Sequence, residues 1–585
     1  MSSSCVMVEE LWIACSNGRV EDVQNLLQNS QININRRDIL SRTPFYIACR
    51  NGHIEIVKLL LNDQRVDINK ENHDGRTPFY IACQEGYIEI VKLLLLNDKR
   101  VHINKPNDGG VTPFYIAYKN GHPEIVKLLL NDERIDINKP KKFGWTPFNV
   151  ACYYGHFEVV KLLLNDERVD INKPNKNNVT PFFIACRNGH IEIVRLLLND
   201  QRVKINQSNN LGATPFYIAC YKGHIEIVKL LLNDMKVDIN KANNKNGATP
   251  FCIACWNGHI EIVRLLLNDE RVDINKANND EATPFFIVCQ EGHIEIVKLL
   301  LSDNRVEINK ADNDGLTPFH IACGHIEIVK MLLNNQRIDI NQSNNYGWTP
   351  FHSVCDDGHI EIVKLLLSDN RVEINKAMNH GTTAFYIACW NGYIGIVELL
   401  LNDKRVDVNK ANSHGKTPFY IACYCGHIEI VKLLLNDERV DITKAEPLYI
   451  ACLRGYIEIV KLLVNDNRIG FNEVNNNRWT SLDYVCNYGS LEIVQHILVI
   501  GGVNLTIQNN EGMTPIDIAR KNKEKTYWSR DEIQERQRIF ELLESFERDP
   551  NETKIKLRIQ LGYPSNFHFH FHFFFLKKNF DAILI

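Results

Sequence analysis

One segment dominates this sequence. T-P-F-Y-I-A-C-x-x-G-H-I-E-I-V-K-L-L-L-N-D-x-R-V-D-I-N-K recurs along most of the 585 residues. Counted from its Thr, copies begin at Glu9, Thr43, Thr77, Thr112, Thr146, Thr180, Thr214, Thr249, Thr283, Thr317, Thr349, Thr383, Thr417, Glu446, Thr480 and Thr514, sixteen in all and mostly 34 residues apart. At roughly 100–200 residues per domain, length alone suggests several globular domains. The period overrules that reading. A unit of this size cannot bury its own apolar surface, so successive copies must stack and share one core.

The copy that starts at Thr43 shows what each unit folds into. Thr43 is a good N-cap, and Pro44 suits the first helical position, where its missing N–H costs nothing. A short first helix carries Phe45, Ile47, Ala48 and Cys49 and should stop at Gly52, which can take the left-handed conformation. A second helix is predicted from about His53 to Leu61. Ile54, Ile56, Val57, Leu59, Leu60 and Leu61 cover too wide an arc for one partner, and only Glu55 and Lys58 mark a solvent side, spaced to pair at i,i+3. Asn62 to Arg76, with its Val66–Ile68 alternation and its Asn, Asp and Gly, reads as an extended, hairpin-like connection.

These residues resemble the ankyrin repeat family. T-P-F-Y-I-A-C is similar to that family's T-P-L-H-x-A-A start, G-H-I-E-I-V-K-L-L-L to its second helix, and V-D-I-N to its loop. The resemblance runs from about Glu9 to Phe546, over nine-tenths of the chain. It implies an all-α solenoid of helix-turn-helix units with β-hairpin-like fingers, wound into a curved superhelix. It also implies a non-catalytic scaffold or adaptor that holds partner proteins in a concave groove. A structural linker between membrane proteins and cytoskeleton is the alternative. Each copy is about one residue longer than the usual ankyrin unit, and the extra residue falls in the N-D-x-R-V turn, where it reads as a loop variation. Similar proteins are sometimes hydroxylated at the Asn matching Asn69; an Asn that simply closes the turn is the other reading.

Composition narrows the setting. Net charge is −4, so no basic excess points to nucleic acid, and no apolar run is long enough to cross a membrane. Met1 to Cys5 lacks the basic and apolar regions of a secretory signal. Seventeen cysteines suggest a disulfide framework until their spacing is read. Fourteen, from Cys15 and Cys49 to Cys452 and Cys486, share one place in the unit. Helices about 8–10 Å apart hold equivalent residues beyond the roughly 7 Å that a disulfide spans. They read as a ladder of small buried hydrophobes in a reducing, cytoplasmic setting. No cofactor or metal is implied, and a monomer is expected. Cys252-x-x-Cys255 sits within a first helix, and His414 to Thr417 ends like a phosphate loop but lacks the earlier glycine, so both are read as chance.

Residues 1–8 are read as a leader, 9–546 as the array with its caps, and 547–585 as a poorly ordered tail. Three copies depart from the pattern. The Thr317 copy lacks the two residues that normally end its first helix, and the Glu446 copy lacks about five residues of its finger. A gap in a binding surface and plain decay of the repeat both fit the second case. Leu95-Leu96 adds one Leu, expected to lengthen a turn. Ser529 with Glu532 forms a capping-box pattern ahead of a stripe of Ile533, Ile539, Phe540, Leu543 and Phe546. In F-H-F-H-F-H-F-F-F, from Phe567 to Phe575, alternation would put three histidines on one face of a strand, but no Cys or carboxylate joins them.

In a repeat scaffold, function belongs to positions that vary while the framework repeats. The pair after the Cys varies most, followed by the finger just before the Thr. Five of the seven tryptophans fall there: Trp145, Trp256, Trp348, Trp390 and Trp479. Tyr153, Tyr154, Arg187, Tyr221 and Tyr424 join them. Large aromatics and Arg dominate interface energetics. By the family resemblance, these two sets line the concave groove. The ten residues are the candidate partner-binding set.

Overall fold

A computed structural model of the chain describes residues 3–97, 99–138, 142–444, 446–500, 502–524 and 529–563. These group into two compact blocks that divide after Asn313. Both blocks are built from the same two-helix repeat. In the Thr43 repeat, the first helix spans Pro44–Asn51; Thr43 Oγ1 accepts the Tyr46 N–H at 3.2 Å, and Gly52 closes the helix at φ 82°. The second helix spans Ile54–Asn62, and Lys58 pairs with Glu55 at 2.7 Å as its spacing predicts. The same Thr cap recurs at the start of the later repeats, from Thr77 to Thr514, with Glu446 the exception.

Stacking builds the core. Phe45, Ala48 and Cys49 of the first helix and Ile56, Val57 and Leu60 of the second are essentially inaccessible, and equivalent residues repeat this pattern along each block. Small Ala and Cys let successive first helices approach closely. All fourteen framework cysteines are buried and unpaired. Burial disfavours their thiolates and pushes the Cys15 thiol up to about 12, with its successors raised too, so these are packing groups and not nucleophiles.

Three polar joints recur between neighbouring repeats. The framework His reaches back: His190 Nε2 donates to the Tyr153 carbonyl at 3.0 Å. Its ring roofs Gly155 (φ 78°), where a Cβ would stand 2.6 Å from His190 Cε1, so this glycine is required twice over. The loop Asn reaches forward: Asn138 Nδ2 donates to the Arg168 carbonyl at 2.6 Å, while its Oδ1 accepts the Asp170 N–H at 3.3 Å. The Arg of N-D-x-R is the third joint. Arg168 forks onto Asp166 at 2.6 and 2.9 Å and donates at 2.6 Å to the carbonyl of Leu130, the last residue of the preceding second helix. The turn expected to be a mere loop variation is thus a brace that caps a helix end with a cation.

The fingers keep the expected hairpin-like course but build no β-ladder. Among the described residues no β-strand forms, and one isolated antiparallel bridge joins Ala377 and Thr383. The path is still hairpin-like: the Asn72 N–H donates to the Arg76 carbonyl and the Gly75 N–H to the Asn72 carbonyl. Only one backbone bond crosses to the next fingertip, as from the His73 N–H to the Leu40 carbonyl at 3.1 Å. One bond per joint does not make a ladder.

The irregular copies resolve individually. The extra Leu lengthens a helix, Ile88–Asn97, and leaves Leu96 exposed; it does not lengthen the turn. The shortened Thr317 repeat keeps a four-residue first helix, Pro318–Ile321, followed by a 3-10 turn over Ala322–Gly324. Glu446 takes a left-handed conformation (φ 57°) and caps nothing with its side chain. The residues read as leader are continuous with the first repeat, in one helix over Ser3–Asn17. At the other end, Ser529 and Glu532 form the expected capping box and open the helix Arg530–Arg548. Its Arg536 donates to the Asn487 and Tyr488 carbonyls at 2.7 and 3.0 Å, taking the place of a framework His. A further helix, Pro550–Gln560, packs on Leu491–Ile500 and on Arg530–Arg548, and the Tyr563 hydroxyl meets His496 Nδ1 at 2.9 Å. Packed chain therefore extends into the stretch assigned to the tail. The Phe/His run lies outside the described residues.

Candidate binding face

In most repeats the residue after the framework Cys, or after Tyr118 in its place, lies near the end of the first helix with its side chain outward and its backbone held. The next repeat's His donates to its carbonyl: at Lys119 (2.8 Å), Tyr153 (3.0 Å), Arg187 (3.0 Å), Tyr221 (3.1 Å) and Trp256 (2.9 Å) in the first block, and at Trp390 (2.8 Å) in the second. The framework thus immobilises the backbone of the positions that vary. The second residue of the pair is often committed to the same purpose. Asn120 and Asn188 donate to the Gln84 and Tyr153 carbonyls at 2.9 Å each, which makes those asparagines framework and not variable contacts.

The ten candidates separate by exposure. Trp256 is 40% exposed and Trp390 54%, and Tyr153, Tyr154, Tyr221 and Tyr424 are also exposed. Trp145, Trp348, Trp479 and Arg187 are half-buried. In the first block, Trp145 stands edge-on to Tyr153 at 5.5 Å, and Tyr153 edge-on to Tyr154 at 5.1 Å. Arg187 lies over Tyr153 at 6.0 Å and Lys119 over Tyr154 at 6.0 Å. Lys222 covers Tyr221 at 5.2 Å. This is one patch of rings and cations along successive first helices.

In the second block, Trp390 packs on Tyr386, and Tyr424 stacks on Tyr420 beneath Arg454, 4.7 Å away. Where the Glu446 repeat lacks its finger, a small crevice of about 20 Å³ is lined by Pro447, Tyr449, Glu473 and Trp479 among others. Tyr449 and Trp479 flank Tyr484 at 4.1 and 4.8 Å, so aromatic contacts continue past the gap. The Trp348 ring is half-buried beside the His352 ring, centroids 6.2 Å apart, and its backbone is held by His320 Nε2 on its carbonyl at 3.0 Å and by Asn344 Oδ1 on its N–H.

Sequence reasoning passed over the fingertip residues Phe143, Leu211 and Tyr346, which are 69%, 57% and 64% exposed. Their carbonyls accept the next fingertip's N–H, from Lys176, Asn244 and Asn379. All three hold the same offset in the finger as Leu40, a position that is polar in most other copies, and that contrast was the available signal. The cations Lys119, Lys222 and Arg454 were passed over too, because the pattern of aromatics was read without its charged neighbours.

Stacked helix pairs with a repeating framework and variable outward residues define a class of modular helical solenoid. The sequence profile described as ankyrin repeats (3 copies) matches overlapping stretches from residues 11–107 through 251–344 to 448–527. The chain belongs to the ankyrin repeat family. No curated protein matches it significantly. No helix among the described residues is long and apolar enough to cross a membrane, and no group of three or more His, Cys, Asp or Glu among them could hold a metal ion.

Proposed function

We propose that this protein is a non-catalytic scaffold or adaptor that binds partner proteins through the face made by its first-helix ends and fingertips, the concave side in the ankyrin family. Ankyrin repeats are in general protein–protein interaction modules. The observation that carries the reading is the pairing of exposed aromatics with a locked backbone: Trp256 and Trp390 project from carbonyls fixed by His293 and His427. Rings held in place before binding lose little freedom on binding. A cytoplasmic setting goes with it, supported by the buried, unpaired thiols.

Affinity capture from the native cell with the full chain and with Trp256→Ala/Trp390→Ala is the test. The expected result is loss of specific partners with an unchanged unfolding midpoint. Unchanged capture, or a large loss of stability, would remove the reading.

A further inference from the structure

The first block carries a window without carboxylates on this face. The pairs that end the first helices run Gln84-Glu85, Lys119-Asn120, Tyr153-Tyr154, Arg187-Asn188, Tyr221-Lys222, Trp256-Asn257 and Gln290-Glu291. Acid stands at both flanks and nowhere between. The fingertips repeat the pattern independently. Asp108 precedes the window and Asp280-Glu281 follow it, while the tips between them carry Phe143, Leu211 and exposed Lys176 and Lys245. In a chain with 71 acidic and 67 basic residues, both tracks lose their acids over the same repeats.

The cations in this window meet neutral groups only; Arg187 Nε donates to Asn188 Oδ1 at 3.4 Å. Lys119, Arg187 and Lys222 lie over tyrosine rings at 6.0, 6.0 and 5.2 Å, with no carboxylate partner among the described residues. A cation resting on a ring keeps its charge available to an incoming anion, and the ring adds apolar contact beside it. On the second helices and the N-D-x-R turns, in these repeats too, the common arrangement is the reverse, as in the Lys58–Glu55, Lys229–Glu226 and Arg202–Asp200 pairs.

We infer that the window from Lys119 to Trp256 is a docking site for an extended acidic segment of a partner protein. This rests on the reading of the first-helix face as the binding face and adds the chemistry of the occupant. The spacing suits an extended chain. Stacked helices stand about 8–10 Å apart, and an extended peptide advances about 3.3 Å per residue. Acidic side chains at intervals of about three residues therefore come opposite successive repeats. Lys119 and Arg187 are two repeats apart and Lys222 one further, so about ten residues span the three cations. The residues between the acids lie against Tyr153, Tyr221 and Trp256. A nucleic acid is the less suited polyanion, because the chain as a whole carries a net charge of −4.

The test uses the full chain and fluorescence polarisation with three labelled probes. One is a peptide of about ten residues with Glu at every third position and Tyr or Ser between. The second has Gln in place of Glu, and the third is single-stranded RNA of equal charge. The acidic peptide is expected to bind at least about tenfold more tightly than the Gln peptide or the RNA, a difference of about 1.4 kcal/mol, and to weaken with added salt. Lys119→Glu/Arg187→Glu/Lys222→Glu should weaken it by about tenfold or more with an unchanged circular dichroism melt, since these side chains are exposed or half-exposed. Tyr153→Ala/Tyr221→Ala/Trp256→Ala is measured alongside. Failure of the acidic peptide to bind, equal binding of the Gln peptide, or tighter binding of the RNA overturns the inference. If the ring variant weakens peptide binding and the charge reversal does not, the acidic occupant is wrong while the binding face stands. If neither variant changes binding, both fall.

Discussion

The brace formed by the N-D-x-R turn can be tested in both directions, because the Thr214 repeat carries Lys236 in place of its Arg. Arg271 forks onto Asp269 at 2.9 and 2.6 Å and donates at 2.6 Å to the Leu232 carbonyl, at the end of the preceding second helix. Its side chain is 33% exposed and that of Asp269 18%. A buried hydrogen bond to a charged group is worth about 1.5–3 kcal/mol. A cation at a helix C-terminus contributes about 0.3–1 kcal/mol and an exposed ion pair about 0–1 kcal/mol. Partial exposure places the brace at the low end, about 1–2 kcal/mol. Lysine keeps the charge but cannot fork, so Arg271→Lys should cost about 1 kcal/mol. In the Thr214 repeat, the equivalent position is Lys236, whose backbone N–H still reaches Asp234 Oδ1 at 2.9 Å. Lys236→Arg should let the guanidinium reach the carbonyl of Leu198, which ends the helix Ile191–Leu198, and should gain about 1 kcal/mol. Repeats interact mainly with their neighbours, so both effects should be local. Urea unfolding gives the size, and hydrogen exchange in Ile191–Leu198 and Ile225–Leu232 gives the place. Changes of the same sign in the two variants, or both within the roughly 0.5 kcal/mol of an inconsequential surface change, would refute the brace.

Other consequences follow from the same joints. Asp483 caps its helix through one carboxylate oxygen, while its buried Oδ1 has no partner, and burial pushes its pKa up to about 6. The folded state then holds a proton between about pH 4 and 6 that the unfolded chain has released, so this residue lowers stability as pH rises through that window. The displacement corresponds to roughly 3 kcal/mol at most. Asp483→Asn, which supplies the donor that Asn149 uses toward the Lys173 carbonyl, should raise the urea midpoint at pH 7 by the equivalent of about 1–2 kcal/mol. The loop carboxylates act in the opposite sense. Hydrogen bonds from the following Arg hold Asp166, Asp200, Asp269 and Asp369 below the usual range. Their contribution is full above about pH 4 and is lost as pH falls through the folded values, so Asp200→Asn/Asp269→Asn should flatten the acid limb of a stability–pH curve. Gly155→Ala combines a strained φ with a clash on the His190 ring and should destabilise its joint by more than about 1 kcal/mol, read as faster exchange in Phe157–Leu164.

Much of the fold was legible because its signals are local. Thr-Pro at a helix start, Gly at its end, the i,i+3 pair of Glu55 and Lys58, and the small buried Cys each act within one repeat, and chemistry within a few residues is readable from order alone. The period itself required stacking, since no single unit can cover the second helix. Stacking geometry decided the rest. Arg271 looked like part of a loop because the carbonyl it caps belongs to the helix before, 39 residues earlier. Asn69 was ambiguous because its partner, the Arg100 carbonyl, lies 31 residues ahead. The fingers kept a hairpin path without a ladder, because neighbouring tips come close enough for one backbone bond only. The variable positions were visible as positions, but their exposure was not: the rings of Trp256 and Trp390 stand out while that of Trp348 is half-buried beside His352. A repeating sequence specifies each unit almost completely; what one unit does to the next depends on distances that only the stacked structure provides.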